Sequence, residues 1–241
     1  MRLTPGLTGA RRQSSFLSPS AARARLSDSL GRLLVPSWTG NDIFIAVLEL
    51  GGSIVASLPK TYITPEEYLA LDRQAEVKSE YYAGHIIAFA GASKRHNLIV
   101  ANVLAGIHRQ LIDRPCNVYP SDMRVRISKT GMYAYPDIVV TCGEEQFADD
   151  NSDILLNPIV LVEVLSETTA NYDRGDKFEQ YRRIESLREY ILVFQELHRV
   201  DQYLRQNDTQ WLLTEFHSTE DIIKLISINC ELALKEIYAK V

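Results

Sequence analysis

Two stretches of this sequence, 135–141 and 159–165, are nearly continuous apolar runs rich in Val and Ile, and each carries one carboxylate, Asp137 and Glu163. Such runs read as interior strands of a sheet covered on both faces, which commits the chain to a layered core. By the two-residue strand period, Asp137 shares a face with Val139, and Glu163 shares one with Leu161 and Leu165. A carboxylate on such a face loses its hydration, at a cost of several kcal/mol unless a charge compensates it. One alone is usually a strand-end residue bonded to backbone or to an arginine. Two on neighbouring core strands point instead to a shared cation, and hard oxygen donors suit Mg²⁺ or Mn²⁺. Pro136 lacks a ladder donor and so marks a strand's beginning or an edge, which puts Asp137 near the mouth of a cleft.

The flanking sequence supplies the layers. Thr64-Pro65-Glu66-Glu67 is a helix start, with Thr64 as N-cap, proline in the first turn and Glu67 completing a capping box. Tyr68, Leu69 and Leu71 form its apolar side. The run 86–90 reads as a strand. Ser93 opens a second helix on which Val100, Val103, Leu104, Ile107 and Leu111 recur at helical spacing. Met123, Val125 and Ile127 alternate with Arg124 and Arg126, as in a strand with one wet face. Then come a polar loop over 143–157, an amphipathic helix over 172–184, strands at 190–194, 200–204 and 211–216, and a closing helix over 231–238. The order predicts an α/β fold with a mixed central β-sheet flanked by helices.

Residues 1–58 read differently. They are rich in Arg, Ser, Ala and Gly, poor in acid and without a sustained period. A disordered tail, an organelle transit peptide and an over-extended start are the three readings, and the abrupt onset of order favours the last, with a natural start near Ile54. The ordered domain is then 59–241. The apolar stretch 43–58 is interrupted by Glu49 and too short to span a bilayer. Cys116, Cys142 and Cys230 form no CxxC pair, so neither a zinc site nor a disulfide framework is expected, and a reducing, cytoplasmic interior is the natural setting. Residues 61–241 hold 28 acidic against 19 basic side chains. That balance argues against strong non-specific binding to a phosphate backbone but leaves room for a local basic rim, for which Arg95, Arg124, Arg126, Arg174, Arg182 and Arg183 are candidates.

Lys177 follows Glu163 on the predicted helix, with Tyr181 one turn later on the same face. It could steer a water or stabilise charge on a phosphate, although a solvated lysine beside Asp173 and Asp176 is the commoner arrangement for that residue type. Glu80 and His96 fall in the first two helical regions and would not stand out alone. In order, however, Glu80-Tyr-Tyr-Ala-Gly84, His96, Tyr135-Pro-Asp137-Ile-Val-Val, Val162-Glu163-Val-Leu-Ser166, Lys177 with Tyr181, and Glu189-Tyr190 resemble the Uma-two family of restriction-endonuclease-like proteins. That family is common in cyanobacteria and belongs to the PD-(D/E)xK nuclease superfamily. The resemblance spans roughly 61–241. It implies a restriction-endonuclease-like core in which Asp137 and Glu163 bind Mg²⁺ with Glu80 nearby on the first helix, a DNA substrate and a homodimer. Two positions depart from the pattern. Leu165 stands where the superfamily has lysine, a gap that a lysine on the following helix fills in the family and that points to Lys177. His85 stands where relatives often carry an acid.

The leading expectation is a Mg²⁺-dependent DNA endonuclease that hydrolyses phosphodiester bonds with metal-activated water. A catalytically inactive nuclease-fold domain that binds DNA or a protein partner is the alternative, favoured by net acidity and by Leu165. A glycosidase using the two acids is the weakest, because no aromatic platform lies near either. GxxxxGK[ST] and GxGxxG are absent.

Overall fold

The two apolar runs lie side by side at the centre of a six-stranded sheet. The structure, a computed structural model, describes residues 62–88, 91–165 and 172–241. The readings of residues 1–58, and of 89–90 at the end of the first strand, lie outside these. Helix α1 (Pro65–Asp72) has the expected capping box: Thr64 Oγ1 accepts from the Glu67 amide at 3.2 Å, and Glu67 Oε2 from the Thr64 amide at 2.9 Å. Its apolar side rests on Tyr68, since Leu71 is exposed. Strands β1 (Ser79–Tyr82) and β2 (His85–Ala88) form a hairpin whose two turn residues, Ala83 and Gly84, both have positive φ, the condition for a tight turn that matches strand twist. Glu80 is therefore a strand residue, not the helical one expected, because the turn at 83–84 folds the segment into a hairpin.

Helix α2 (Lys94–Leu111) follows its Ser93 cap. Strands β3 (Cys116–Pro120), β4 (Arg124–Ile127), β5 (Met132–Ala134), β6 (Ile138–Cys142), β7 (Ile154–Leu155) and β8 (Val160–Leu165) come next. A π-helical turn (Asp173–Lys177) runs into α3 (Phe178–Tyr181). The chain continues through β9 (Glu189–Phe194), β10 (Val200–Arg205), β11 (Trp211–Phe216), β12 (Ile222–Leu225), β13 (Cys230–Ala233) and α4 (Leu234–Ile237). The predicted closing helix thus begins as a strand. Leu225 and Cys230 face each other in an antiparallel pair, and helix starts only after that pairing ends.

The larger sheet has the order β11-β10-β9-β8-β6-β3, and β8 and β9 are parallel within it. A second, five-stranded sheet has the order β2-β1-β5-β4-β7. One face of the larger sheet packs Val140, Val162 and Ile191 against the Ile99, Val103 and Ile107 stripe of α2. The other packs Val139, Leu161 and Leu165 against Val125, Ile127 and Met132 of the second sheet and Tyr181 of α3. The acids belong to this second face.

Two expectations fail here. Arg124 is not on a wet face: it is buried against Asp72 at 2.6 Å, because β4 is covered on both sides. Cys116 and Cys142 form a disulfide, since β3 and β6 pair antiparallel with these two residues directly opposite. Their 26-residue separation in sequence hides that adjacency.

Candidate active site

Asp137 sits in the short break before β6, immediately after Pro136, so its carboxylate lies at the end of the sheet rather than within the ladder. In the antiparallel β6–β8 register, Ile138 faces Val162 and Val139 faces Leu161. Extending that register by one residue sets Asp137 opposite Glu163. The Val164 amide donates to Asp137 Oδ2 at 2.8 Å, and His96 Nε2 from α2 lies 3.1 Å from the same oxygen. The other His96 ring nitrogen, Nδ1, is buried and has no hydrogen-bond partner among the described residues.

Lys177 is the centre of the site. The solvated lysine suggested by residue type is wrong: Lys177 is 3% exposed. Its Nζ lies 2.9 Å from Glu80 Oε1, 2.9 Å from Glu163 Oε1 and 3.6 Å from Asp173 Oδ1. The π-helical turn brings it there. The Tyr181 hydroxyl donates to Glu163 Oε1 at 3.0 Å, and the Tyr135 amide and Tyr172 hydroxyl donate to Glu80 at 3.2 and 3.3 Å. Tyr190, from β9, anchors the turn by donating to the Asp173 carbonyl at 3.0 Å.

A cleft of about 600 Å³ is lined by Asp137, Glu163, Lys177, His96, Asp173 and Tyr135, among others. Four of the six residues singled out in the sequence therefore meet in one cavity, and Glu80 and Tyr181 lie beneath it. None of the six candidate rim arginines lines it; its cations are Lys78 and Lys177. In sequence, Asp173 stands out only as a neighbour of Lys177, Tyr190 only as part of the Glu189-Tyr190 pair in the family series, and Tyr172 not at all. Asp173 carried a usable signal in its place one helical turn before Lys177.

The electrostatics are lopsided. Glu80, Glu163 and Asp173 are all buried around one ammonium. Burial pushes the Glu163 carboxyl well above the usual carboxylate range; Lys177 pulls it back, while Asp173, Asp137 and Glu80 push it further up. Burial works against the charged form of Lys177, yet Glu163, Glu80 and Asp173 outweigh it and hold the ammonium well above its ordinary value. Lys177 therefore stays charged at neutral pH. Among the described residues, Asp137 Oδ1 and Glu163 Oε2 accept no hydrogen bond, whereas both Glu80 oxygens do.

The family model described as "Putative restriction endonuclease", Uma2, matches residues 65–235. Two uncharacterised proteins of Synechocystis are similar along most of their length. One, sll1609, is 40% identical over 153 residues, covering 64% of this chain and 86% of that protein. The other, slr1290, is 33% identical over 182 residues, covering 76% and 94%. Among solved structures, a "putative nuclease belonging to DUF820" from Anabaena variabilis superposes with a TM-score of 0.62 at 20% identity, covering 73% of this chain and 98% of that one. That likeness speaks for the fold. The family match runs from α1 to α4 and takes in every residue of the cleft, so this chain belongs to the Uma2 family of restriction-endonuclease-like proteins.

Proposed function

We propose that this chain is a Mg²⁺-dependent DNA endonuclease acting in the cleft of Asp137, Glu163 and Lys177. The observation that carries the reading is the charge imbalance: among the described residues, Glu80, Glu163 and Asp173 surround the one buried ammonium of Lys177, and a fourth carboxylate, Asp137, adjoins them. Buried acids in such excess are relieved by taking up a proton, toward which burial pushes Glu163, or by a further cation, which the cleft beside them can admit. Among the described residues no group of three or more His, Cys, Asp or Glu side chains forms a ready metal cage. The donor set suits Mg²⁺ nonetheless, because that ion takes one or two carboxylates and completes its shell with water and substrate phosphate. Asp137 and Glu163 would hold it through the oxygens that accept no hydrogen bond. When bound, it would supply Lewis-acid neutralisation at the scissile phosphate and a lowered pKa for the attacking water.

The remaining chemistry belongs to the protein. Glu163, Glu80 and Asp173 hold the Lys177 ammonium well above its ordinary pKa, so it serves as a positive pole for the phosphate rather than as a base. It also supplies the cation that Leu165, buried in the core, does not, which sets the nuclease reading above an inactive binding domain. His96 and the Val164 amide pin Asp137 Oδ2, and Tyr181 pins Glu163 Oε1, leaving each acid one oriented oxygen. Glu80, with both oxygens engaged, positions Lys177.

Plasmid and oligonucleotide DNA incubated with Mg²⁺, with Mn²⁺ and with EDTA tests the reading. Cleavage that needs the metal and is lost in Asp137→Asn is expected. No cleavage under any metal, or cleavage undiminished in Asp137→Asn, overturns it.

A further inference from the structure

The catalytic cleft offers DNA few positive charges, and the basic side chains gather elsewhere. At the opposite end of β8 from Glu163, a groove runs past Lys129, Arg182, Arg183, Arg188 and Arg205, with Glu185 and Asp208 the acids that line it among the described residues. It adjoins two further hollows that share Arg183, Arg188 and Arg205 with it and add Arg126, Asn157 and Ser186. Lys129 is paired with Glu185 at 2.9 Å and Arg183 with Glu179 at 2.9 Å, both on the exposed surface. Such exposed pairs are weak and exchange readily for a better anion. Arg182 and Arg188 are exposed, and among the described residues neither has a carboxylate within ion-pairing distance. Arg205 is built in: its guanidinium donates to the carbonyls of Arg182 and Ile184 and lies 4.7 Å from the Trp211 ring. Burial, and then the like charge of Arg188, pull the Arg205 pKa below its ordinary value. Cations crowded this way, on a chain of net charge −5, favour an anion among them.

We propose that this groove is a second phosphate-binding surface, which grips the DNA backbone away from the reacting carboxylates; it rests on the nuclease reading for the source of the phosphate. Ile159, which lines one of the adjoining hollows and immediately precedes β8, is four residues before Glu163 in the cleft, about 13 Å at an extended-chain rise of ~3.3 Å per residue. One duplex can reach both. The groove fixes position and carries no sequence information, as phosphate contacts do. It also resolves how an acidic protein can hold a polyanion, since the attraction is confined to one face.

The test titrates the full chain, in EDTA and at several salt concentrations, into an end-labelled DNA duplex of ~20 base pairs. Wild type is compared with Lys129→Ala/Arg182→Ala/Arg188→Ala and with Lys224→Ala. The triple variant should bind about tenfold or more weakly, and its log-affinity against log-salt slope should be shallower by about 2–3, near 0.9 per lost contact. Lys224→Ala, an exposed cation outside both the groove and the cleft, should bind as wild type does. Arg205 is left intact because it holds backbone carbonyls. Should the triple variant unfold, the single Arg188→Glu carries the comparison. Unchanged affinity and slope, or no binding by wild type, overturns the inference. Displacement of the duplex by inorganic phosphate at matched ionic strength also overturns it, because the groove would then serve free phosphate. Cleavage is scored separately. Wild-type cleavage with the triple variant binding normally keeps the nuclease and removes the groove; groove-dependent binding without cleavage does the reverse.

Discussion

Two buried ion clusters stand within this domain, and they are built on opposite principles. In the first, Asp72 meets Arg124 at 2.6 Å, accepts from the Tyr135 hydroxyl at 2.5 Å, and takes the Ser79 amide and hydroxyl on its other oxygen. Arg124 reaches on to Asp153 at 3.0 Å. Burial alone would push the Asp72 carboxyl up, but Tyr135, Arg124 and Ser79 together hold it below its usual value. The second cluster sets Glu80, Glu163 and Asp173 around Lys177, and there burial wins at Glu163. The first cluster is built on a one-to-one pair, the buried Asp72 carboxylate with the buried Arg124 guanidinium, and it ties α1 to the second sheet; among the described residues only Arg124 Nε is left there without a hydrogen-bond partner. The second is left in anionic excess at the wall of a cleft, which stability alone does not explain. A balanced buried pair is an architectural device; an unbalanced one at a cavity is a place for a ligand.

The sharpest way to break this contrast is to remove each cation. Lys177→Ala and Arg124→Ala should each lose about 3–5 kcal/mol in urea unfolding, because each strands buried carboxylates. Lys177 is buried, so its loss cannot leave stability untouched. Under conditions where both variants remain folded, Lys177→Ala should also lose DNA cleavage roughly a thousandfold, and Arg124→Ala only a few fold. Equal loss of cleavage in the two would erase the distinction.

Metal response separates the clusters next. Mg²⁺ or Mn²⁺ at ~100 times its dissociation constant should stabilise the wild type by about 2.7 kcal/mol in thermal unfolding. Asp72→Asn should keep that gain and Asp137→Asn should lose it. A gain retained by Asp137→Asn would place the cation elsewhere.

Acid titration sharpens the comparison from the other side. Asp72 is shifted down from 3.8, so its contribution to stability is present above that pH and is lost as pH falls below it. Asp72→Asn should flatten that limb of the stability curve. Glu163, shifted the opposite way, does not contribute to it. An unchanged acid limb in Asp72→Asn would mean that the first cluster is not what acid breaks.

The smallest effects come from single hydroxyls. Tyr181→Phe removes the hydrogen bond to Glu163, and Tyr135→Phe the one to Asp72, each at about 1 kcal/mol in unfolding. Tyr181→Phe should in addition weaken Mg²⁺ affinity, read as a shifted metal dependence of cleavage, because Glu163 loses its orientation. Identical metal curves for the two variants would show that Tyr181 only packs.

What was legible in the sequence is what local periodicity encodes. The Thr64 capping box, the α2 stripe through Val103 and Ile107, and the strands around Asp137 and Glu163 all follow from short-range pattern. So does the face each acid shares with alternate residues of its own strand, since parity along a strand is fixed by the two-residue pleat, whereas the face common to both acids is set by the β6–β8 register. Lys177 and Tyr181 are candidates from their shared helix face, and the family resemblance adds Glu80 and His96 by order alone. Only the tertiary structure decided what these residues touch. That Lys177 is buried between Glu80 and Glu163 depends on a hairpin 97 residues upstream in sequence and on a π-helical turn, and neither leaves a periodic trace. The Cys116–Cys142 bond and the Asp72–Arg124 pair are hidden for the same reason. A pleat or a helical turn repeats within a few residues and can be read locally, whereas strand register and sheet packing join residues that the chain keeps far apart, so they exist only once the core has closed.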